Sequence, residues 1–334
     1  MKNIRKFETT AEMENAVLEE YSVSYVNEEN KVYTTPENGG QSNVDYSTMY
    51  TTFEVLEDGT FSFSKYGTGD DIQYSKDNGT TWTSLASDET ISVVTGDKVM
   101  WKSTIAPDGG IGKFSSSNKF NAYGNTMSLL YGDDFKEQTS LKGDNSDFSF
   151  LFNGNKGLID ASNLILPATT LSWECYKHMF SSCHSLTTAP SILPATTLAQ
   201  SCYVYMFYDC KNLTAAPELP ATTLYGYCYQ YMFSFCTNLT TAPILHATSL
   251  KTSCYDAMFL GCSSLNHITM LATSIGYNSL KRWVKDVSST GTFVKHTDMN
   301  DLPLANALNY YAGIPEGWEV KNHITPTECT TLTI

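Results

Sequence analysis

Eight of the nine cysteines fall into four pairs with one internal spacing: Cys175 and Cys183, Cys202 and Cys210, Cys228 and Cys236, Cys254 and Cys262 each stand eight residues apart. The pairs recur at 27, 26 and 26 residues. Around them the chain repeats C-Y-x-x-M-F-x-x-C-x-x-L-T/N, with x-A-P and L-P-A-T-T-L following in the better-kept copies. An upstream unit, FLFNGNKGLIDASNLILPATTL, lacks cysteine: Leu151-Phe152 replaces Met-Phe, and Asn155 takes the place of the second Cys. A unit of about 20 to 30 residues cannot bury its apolar face alone, so such units must stack. Stacking predicts ladders of Met179, Met206, Met232 and Met258, of Phe180, Phe207, Phe233 and Phe259, and of Leu186, Leu213, Leu239 and Leu265.

Regular cysteines can also mean disulfides or metal. Zinc knuckles, however, use tight CxxC spacing with histidine nearby, which an eight-residue gap does not supply. The favoured reading is two buried columns of reduced thiols, Cys175, Cys202, Cys228 and Cys254 in one and Cys183, Cys210, Cys236 and Cys262 in the other, since free Cys packs as a small apolar side chain. Asn155 in the second column supports this reading over a redox or metal role. Cys329, in ECTTLTI, is expected to be an exposed thiol.

The repeats are filled with Leu, Thr, Ala, Pro and aromatics, which leaves only 17% charged residues and a net charge of −14. An acidic surface disfavours nucleic acid and anionic membranes as partners. No apolar run approaches the roughly 18 residues of a membrane span, and the first twenty residues have no signal-peptide apolar region.

Upstream of the repeats, residues 48–103 alternate apolar and polar between turn signals, which predicts strands. Three hairpins are expected, turning at Asp58-Gly59, at Asp77-Asn78-Gly79 and at Thr95-Gly96-Asp97, in a small β-sandwich. Further upstream, Thr9 and Glu12 form a capping box ahead of a short acidic helix over 9–20. YSVSYV, NEEN and KVYTT then read as a hairpin, followed by a linker, PENGGQSN.

The repeat resembles the BspA-type leucine-rich repeat, abundant in surface proteins of gut Bacteroidetes and in their phages. The resemblance covers roughly residues 148 to 275 and continues into LKRWVKDVSSTGTFVKHTDMNDLP through GIPEGWEV, which resembles the cap of such arrays. The N-terminal module is similar, over a shorter stretch, to virion proteins of gut phages. The expected class is therefore mainly β, or α+β, and multidomain. It comprises an N-terminal helix-hairpin module with linker (1–44), a β-sandwich (45–135), a BspA-type leucine-rich-repeat solenoid (136–275) and a C-terminal cap and tail (276–334).

The resemblance implies a non-catalytic virion surface protein, bound to other virion proteins through its N-terminal module and to a host surface protein or glycan through its repeats. Homo-oligomerisation and no membrane insertion are expected with it. Assembly in the host cytoplasm would explain both the missing export signal and reduced thiols. The alternatives are a BspA-like bacterial cell-surface adhesin and a glycan-acting enzyme.

No motif specifies a catalytic residue, a cofactor or a metal. His178, His184, His246 and His267 occupy four different repeat positions and are expected to face solvent. Asp70-Asp71 and Asp133-Asp134 are paired carboxylates, and Asp144-Asn145-x-Asp147 resembles half a calcium loop, none of them with EF-hand or glycosidase context. The candidate binding residues are aromatics at variable repeat positions: Trp173, Tyr205, Tyr208, Tyr225, Tyr227, Tyr231 and Phe235. Broad rings with a polar edge suit recognition of proteins and sugars. On the opposite face Thr188, Pro190, Ala215, Pro217, Thr241 and Pro243 predict a flat, uncharged surface.

Overall fold

The computed structural model describes residues 25–26, 32–33, 44–143, 145–299 and 302–323. The chain divides into two units, Met1–Val44 and Asp45–Ile334. In the first, β1 (Tyr25–Val26) pairs antiparallel with β2 (Val32–Tyr33). The helix expected over 9–20 lies outside the described residues, so the helix-hairpin module is not seen among them; the β1–β2 pair is its one described part.

In the second unit, one sheet contains β3 (Thr51–Val55), β5 (Ile72–Ser75), β6 (Thr83–Leu85), β8 (Lys98–Lys102), β10 (Phe120–Asn125), β11 (Leu158–Asp160) and β12 (Leu164–Ile165). A second sheet runs in the order β7 (Thr90–Val93), β4 (Gly59–Lys65), β9 (Gly112–Ser116). Alternation aims Phe53, Phe61, Trp101, Phe114 and Phe120 into one core, with Phe53 4.8 Å from Phe114 across the two sheets. Of the three hairpins expected over 48–103, only β5 with β6 forms. The turns at 58–59 and 95–97 instead carry the chain from one sheet to the other, because β3 pairs with β8 and β10 while β4 pairs with β7 and β9. Those two corners are tied together by Asp58, whose Oδ1 accepts from Thr95 N at 2.8 Å and Thr95 Oγ1 at 2.9 Å.

The repeats begin on this sheet. β11 and β12 pair parallel with β10, so the core passes without a break from sheets to repeats. The boundaries expected after 135 and 275 lie inside the single unit Asp45–Ile334. A short helix, α1 (Ser128–Tyr131), fills the corner, and a parallel sheet of β13 (His267–Met270), β14 (Gly291–Lys295) and β15 (Trp318–Asn322) closes the far end.

The structure corrects the expected class. It is mainly β, with 28% strand and 5% helix; among the described residues there is one short α-helix, the sheets are open and no leucine-rich-repeat solenoid is formed. The reason lies in the local backbone. Between copies the L-P-A-T-T-L side contributes only isolated bridges, such as Thr188 with Ala215 and Thr197 with Thr223. The C-Y-x-x-M-F side is wound as successive tight turns, with a left-handed residue at every fourth position: Glu174, His178 and Ser182, then Ser201, Tyr205 and Asp209, then Tyr227, Tyr231 and Phe235. Alternate N–H groups close these turns locally, as Met179 N does on Tyr176 O at 3.2 Å. The others donate to the next copy: Tyr176 N to Cys202 O at 2.9 Å, His178 N to Val204 O at 3.0 Å and Phe180 N to Met206 O at 2.9 Å. The copies therefore lie as layers held in register.

The layers stack like residues on like. Phe152, Phe180, Phe207, Phe233 and Phe259 form a fully buried column with centroids 5.4, 5.2, 5.5 and 5.8 Å apart. Met179, Met206, Met232, Met258 and all eight paired cysteines are buried, and the cysteines are free thiols. In the second cysteine column each Sγ donates to a phenylalanine carbonyl of the preceding layer: Cys183 to Phe152, Cys210 to Phe180 and Cys262 to Phe233 at 3.0 Å, and Cys236 to Phe207 at 3.1 Å. Asn155 does the same one layer earlier through Nδ2 to Phe114 O at 3.3 Å.

A left-handed backbone costs a non-glycine residue about 1 kcal/mol. Ser182 (φ 58°) shares its column with Gly154 and Gly261, both at positive φ, and its side chain makes no hydrogen bond among the described residues. Ser182→Gly is therefore expected to raise unfolding stability by about 0.5 to 1 kcal/mol, the relief of strain exceeding the added unfolded-state entropy. Urea titration checks it, and a loss of stability would contradict the geometry.

Candidate functional site

One repeat column leaves its rings half-buried. Three residues after the first Cys stand His178, Tyr205 and Tyr231, with Phe150 at the matching place in the cysteine-free unit. All are left-handed, with φ between 55° and 63°, which holds each ring in the plane of its layer. Phe150–His178, His178–Tyr205 and Tyr205–Tyr231 stack at 5.1, 4.6 and 4.6 Å, within 11° of parallel. The strip presents ring edges and the Tyr205 hydroxyl to solvent, the Tyr231 hydroxyl being taken by Arg282. Tyr208 and Phe235 are tilted out beside it, Tyr208 5.3 Å from Tyr205 at 69° and Phe235 5.5 Å from Tyr208 at 85°. Gly261 makes room for Phe235: a Cβ there would lie 2.6 Å from that ring.

The next layer offers only Ala257 at this position, and the space is taken by Arg282 from the layer beyond. Its guanidinium lies 5.3 Å from the Tyr231 ring centroid. Nη2 donates to Tyr231 Oη at 2.5 Å and to Asp256 Oδ1 at 3.3 Å, while Gln230 Nε2 donates to Asp256 Oδ2 at 3.0 Å. Arg282 Nε is buried without a partner. Lys281 and Lys285 flank it, each over a ring of the last layer, Tyr310 at 5.7 Å and Tyr311 at 5.6 Å.

Of the residues expected from the sequence, Tyr205, Tyr208, Tyr231 and Phe235 are thus brought into one patch. Trp173, Tyr225 and Tyr227 are exposed, at 47%, 58% and 38%, but make no ring contact with it among the described residues. On the opposite face Pro190 and Pro217 point inward and are buried, so that surface is less continuous than expected. The sequence reading missed Phe150, His178 and Arg282. The first two share the column of Tyr205 and Tyr231, so reading down one repeat position would have found them. Arg282 belongs to a degraded copy and gave no such signal.

His178 corrects the expectation of solvent-facing histidines. Its ring is sandwiched and its Nδ1 is buried without a partner. Burial, with Lys177 adding a smaller push, lowers its pKa to about 4. An unfolded chain takes up this proton near pH 6.5, whereas the folded one takes it up near 4. Stability should accordingly be fully present above about pH 6.5 and fall as pH drops to 4, with no further His178 contribution below that. Proton NMR of His178 should give a midpoint near 4, and stability curves of wild type and His178→Phe should converge in slope above pH 6.5. The other histidines differ: His184 Nε2 lies 2.7 Å from Asp209 Oδ2, and His246 is half-buried with a lowered pKa, mainly from desolvation.

The carboxylates and thiols are engaged in structure. Asp147 accepts from Gly143 N at 2.7 Å, Lys142 N at 3.1 Å and Ser172 Oγ at 2.9 Å, while Asp144 lies outside the described residues. Asp133 holds Lys102 at 2.8 Å and Tyr50 Oη at 2.7 Å, and Asp71 holds Lys65 at 2.8 Å. Among the described residues no group of three or more His, Cys, Asp or Glu side chains is placed to hold a metal ion. Burial pushes the thiols of Cys183, Cys254 and Cys262 up to about 12, which keeps them un-ionised and slow to react. Cys329 lies outside the described residues. On the sheets a shallow cleft of about 520 Å³ is lined by Met49, Met100 and Tyr123 with Lys76, Asp77 and Asp97; Lys76 and Asp97 are ion-paired at 2.9 Å, and Asp77 is committed to its own turn through Thr81.

No helix among the described residues is long and apolar enough to cross a membrane. In comparison with known proteins, no family model matches the chain, and no curated protein or solved structure matches it.

Proposed function

We propose that this chain is a non-catalytic recognition protein, displayed on a phage particle, that holds a host-surface ligand along the strip of Tyr205, Tyr208, Tyr231 and Phe235. The observation that carries the reading is that strip: half-exposed rings fixed in register by backbone bonds between layers. Rings already immobilised by stacking lose little freedom on binding, which favours affinity from a modest contact area. The particle setting follows the resemblance of the repeats and the N-terminal module, with residues 1–44 as the anchor to other virion proteins.

Tyr208→Ala/Phe235→Ala removes the two tilted rings without touching the buried columns. Labelled wild-type protein should bind cells of gut Bacteroidetes, and the double variant should bind about thirtyfold more weakly, as expected for two aromatic anchors contributing together about 2 kcal/mol. Undiminished binding by a folded variant overturns the strip as the contact surface. Finding the protein only in host membranes and never in purified particles overturns the setting.

A further inference from the structure

We infer that the Arg282 end of the strip is a subsite for the anionic group, a uronate carboxylate or a sulfate ester, of an acidic polysaccharide. The inference rests on the strip being the recognition surface, and it names the ligand class. Arg5 and Arg282 are the only arginines in a chain of net charge −14 that otherwise uses lysine. Arg282 meets the strip directly, through the Tyr231 ring and hydroxyl. Only its Nη2 is committed to the protein. Nη1 makes no hydrogen bond among the described residues, and Nε is buried without a partner. Nε lies out of a ligand's reach, but a guanidinium anchored through Nη2 still offers Nη1 as a charged donor to a carboxylate or sulfate.

The neighbourhood reinforces this. Lys281 and Lys285 are held over Tyr310 and Tyr311 beside Arg282. The opposing charges are Asp256, buried beneath Arg282, and Asp286, exposed and 3.8 Å from Lys285. Positive charge is thus in excess here.

The rest of the strip distinguishes a polysaccharide from an acidic peptide. An acidic peptide needs cations along its length. Beside Tyr208 the strip instead carries Asp209, paired with His184 at 2.7 Å and with Lys211 at 3.6 Å. The stacked edges with the Tyr205 hydroxyl, and the tilted faces of Tyr208 and Phe235, suit a chain whose body is neutral, hydroxylated on its rims and apolar on its ring faces. Its anionic groups would be met at one end only.

The test uses the full chain, with titration of polysaccharides whose uronate or sulfate groups are spaced along a neutral backbone (a glucuronoxylan, a sparsely sulfated galactan) against their carboxyl-reduced or desulfated neutral counterparts, and polyglutamate as comparator. At least one acidic polysaccharide should bind at least about tenfold more tightly than its neutral form, the worth of one charge-assisted pair. Arg282→Gln should abolish that preference and Arg282→Lys restore part of it. Because Arg282→Gln leaves Asp256 unpaired, Lys281→Gln/Lys285→Gln provides a second variant that keeps the Arg282–Asp256 pair, and it should reduce the preference and its salt dependence. Equal binding of acidic and neutral forms, or a preference that survives in both variants, overturns the anion subsite while leaving the strip in place. Tighter binding of polyglutamate than of every polysaccharide overturns the ligand class. Binding to nothing on the panel also overturns it, and the cell-binding comparison of Tyr208→Ala/Phe235→Ala then decides separately whether the strip is the contact surface.

Discussion

Replacing Phe207 with alanine is expected to remove about 4 kcal/mol from the stability of the Asp45–Ile334 unit. The ring is fully buried and lies between Phe180 at 5.2 Å and Phe233 at 5.5 Å, within 2° of parallel to both. Deletion removes its own transfer free energy and leaves a void that cannot close. The layers are pinned on either side by backbone bonds, Phe180 N to Met206 O and Phe207 N to Met232 O, both at 2.9 Å. Phe235→Ala is the matched control: at 37% exposure its loss should be near 1 kcal/mol. Guanidinium titration of both variants gives the comparison, and a Phe207→Ala loss below about 2 kcal/mol would mean the layers can collapse onto one another.

A comparably large loss, about 3 kcal/mol or more, is expected for Gly157→Ala. Gly157 enters β11, where the repeats join the sheet, and its carbonyl accepts from Phe120 N at 2.9 Å. An added Cβ would lie 1.9 Å from Asn118 O and 2.4 Å from Ser116 Oγ. The obstruction on one side is backbone, so it can be relieved only by parting β11 from β10. Gly226→Ala serves as control, since its Cβ would come no nearer than 3.6 Å to another atom, Thr252 O; its effect should stay within about 0.5 kcal/mol. Thermal unfolding separates the two, and equal melting temperatures would falsify the close approach at the junction.

What could be read from the sequence was whatever recurred. Cys183, Met206 and Phe233 announce their burial because each is one member of a column, and a column must face either the core or water as a whole. The backbone under them was not legible, because Tyr205, His178 and Phe235 are not residues that signal a left-handed conformation. Register between layers, not local preference, places them there. The corners at 58–59 and 95–97 were misread for a related reason: Asp58-Gly59 is good turn chemistry for a hairpin and equally good for a crossing between sheets, and only the distant Asp58–Thr95 contact tells them apart. Of the candidate site, the tyrosines were visible as variable aromatics. Arg282 was not, since its role depends on the smallness of Ala257 one layer away.

The turn layers have an electrical consequence. In the bonds that join them, the N–H belongs to the earlier layer and the carbonyl to the later one, from Phe150 N on Lys177 O to Arg282 N on Tyr310 O. Peptide dipoles of about 3.5 D that point the same way add along their common axis. In an α-helix the sum places the positive pole at the N-terminal end; here the N–H groups face the C-terminal end, and the polarity is reversed. The turn side of the repeats is thus a polarised rod whose positive pole lies toward Arg282, so an anion arriving there meets a favourable field from the backbone before it reaches any side chain.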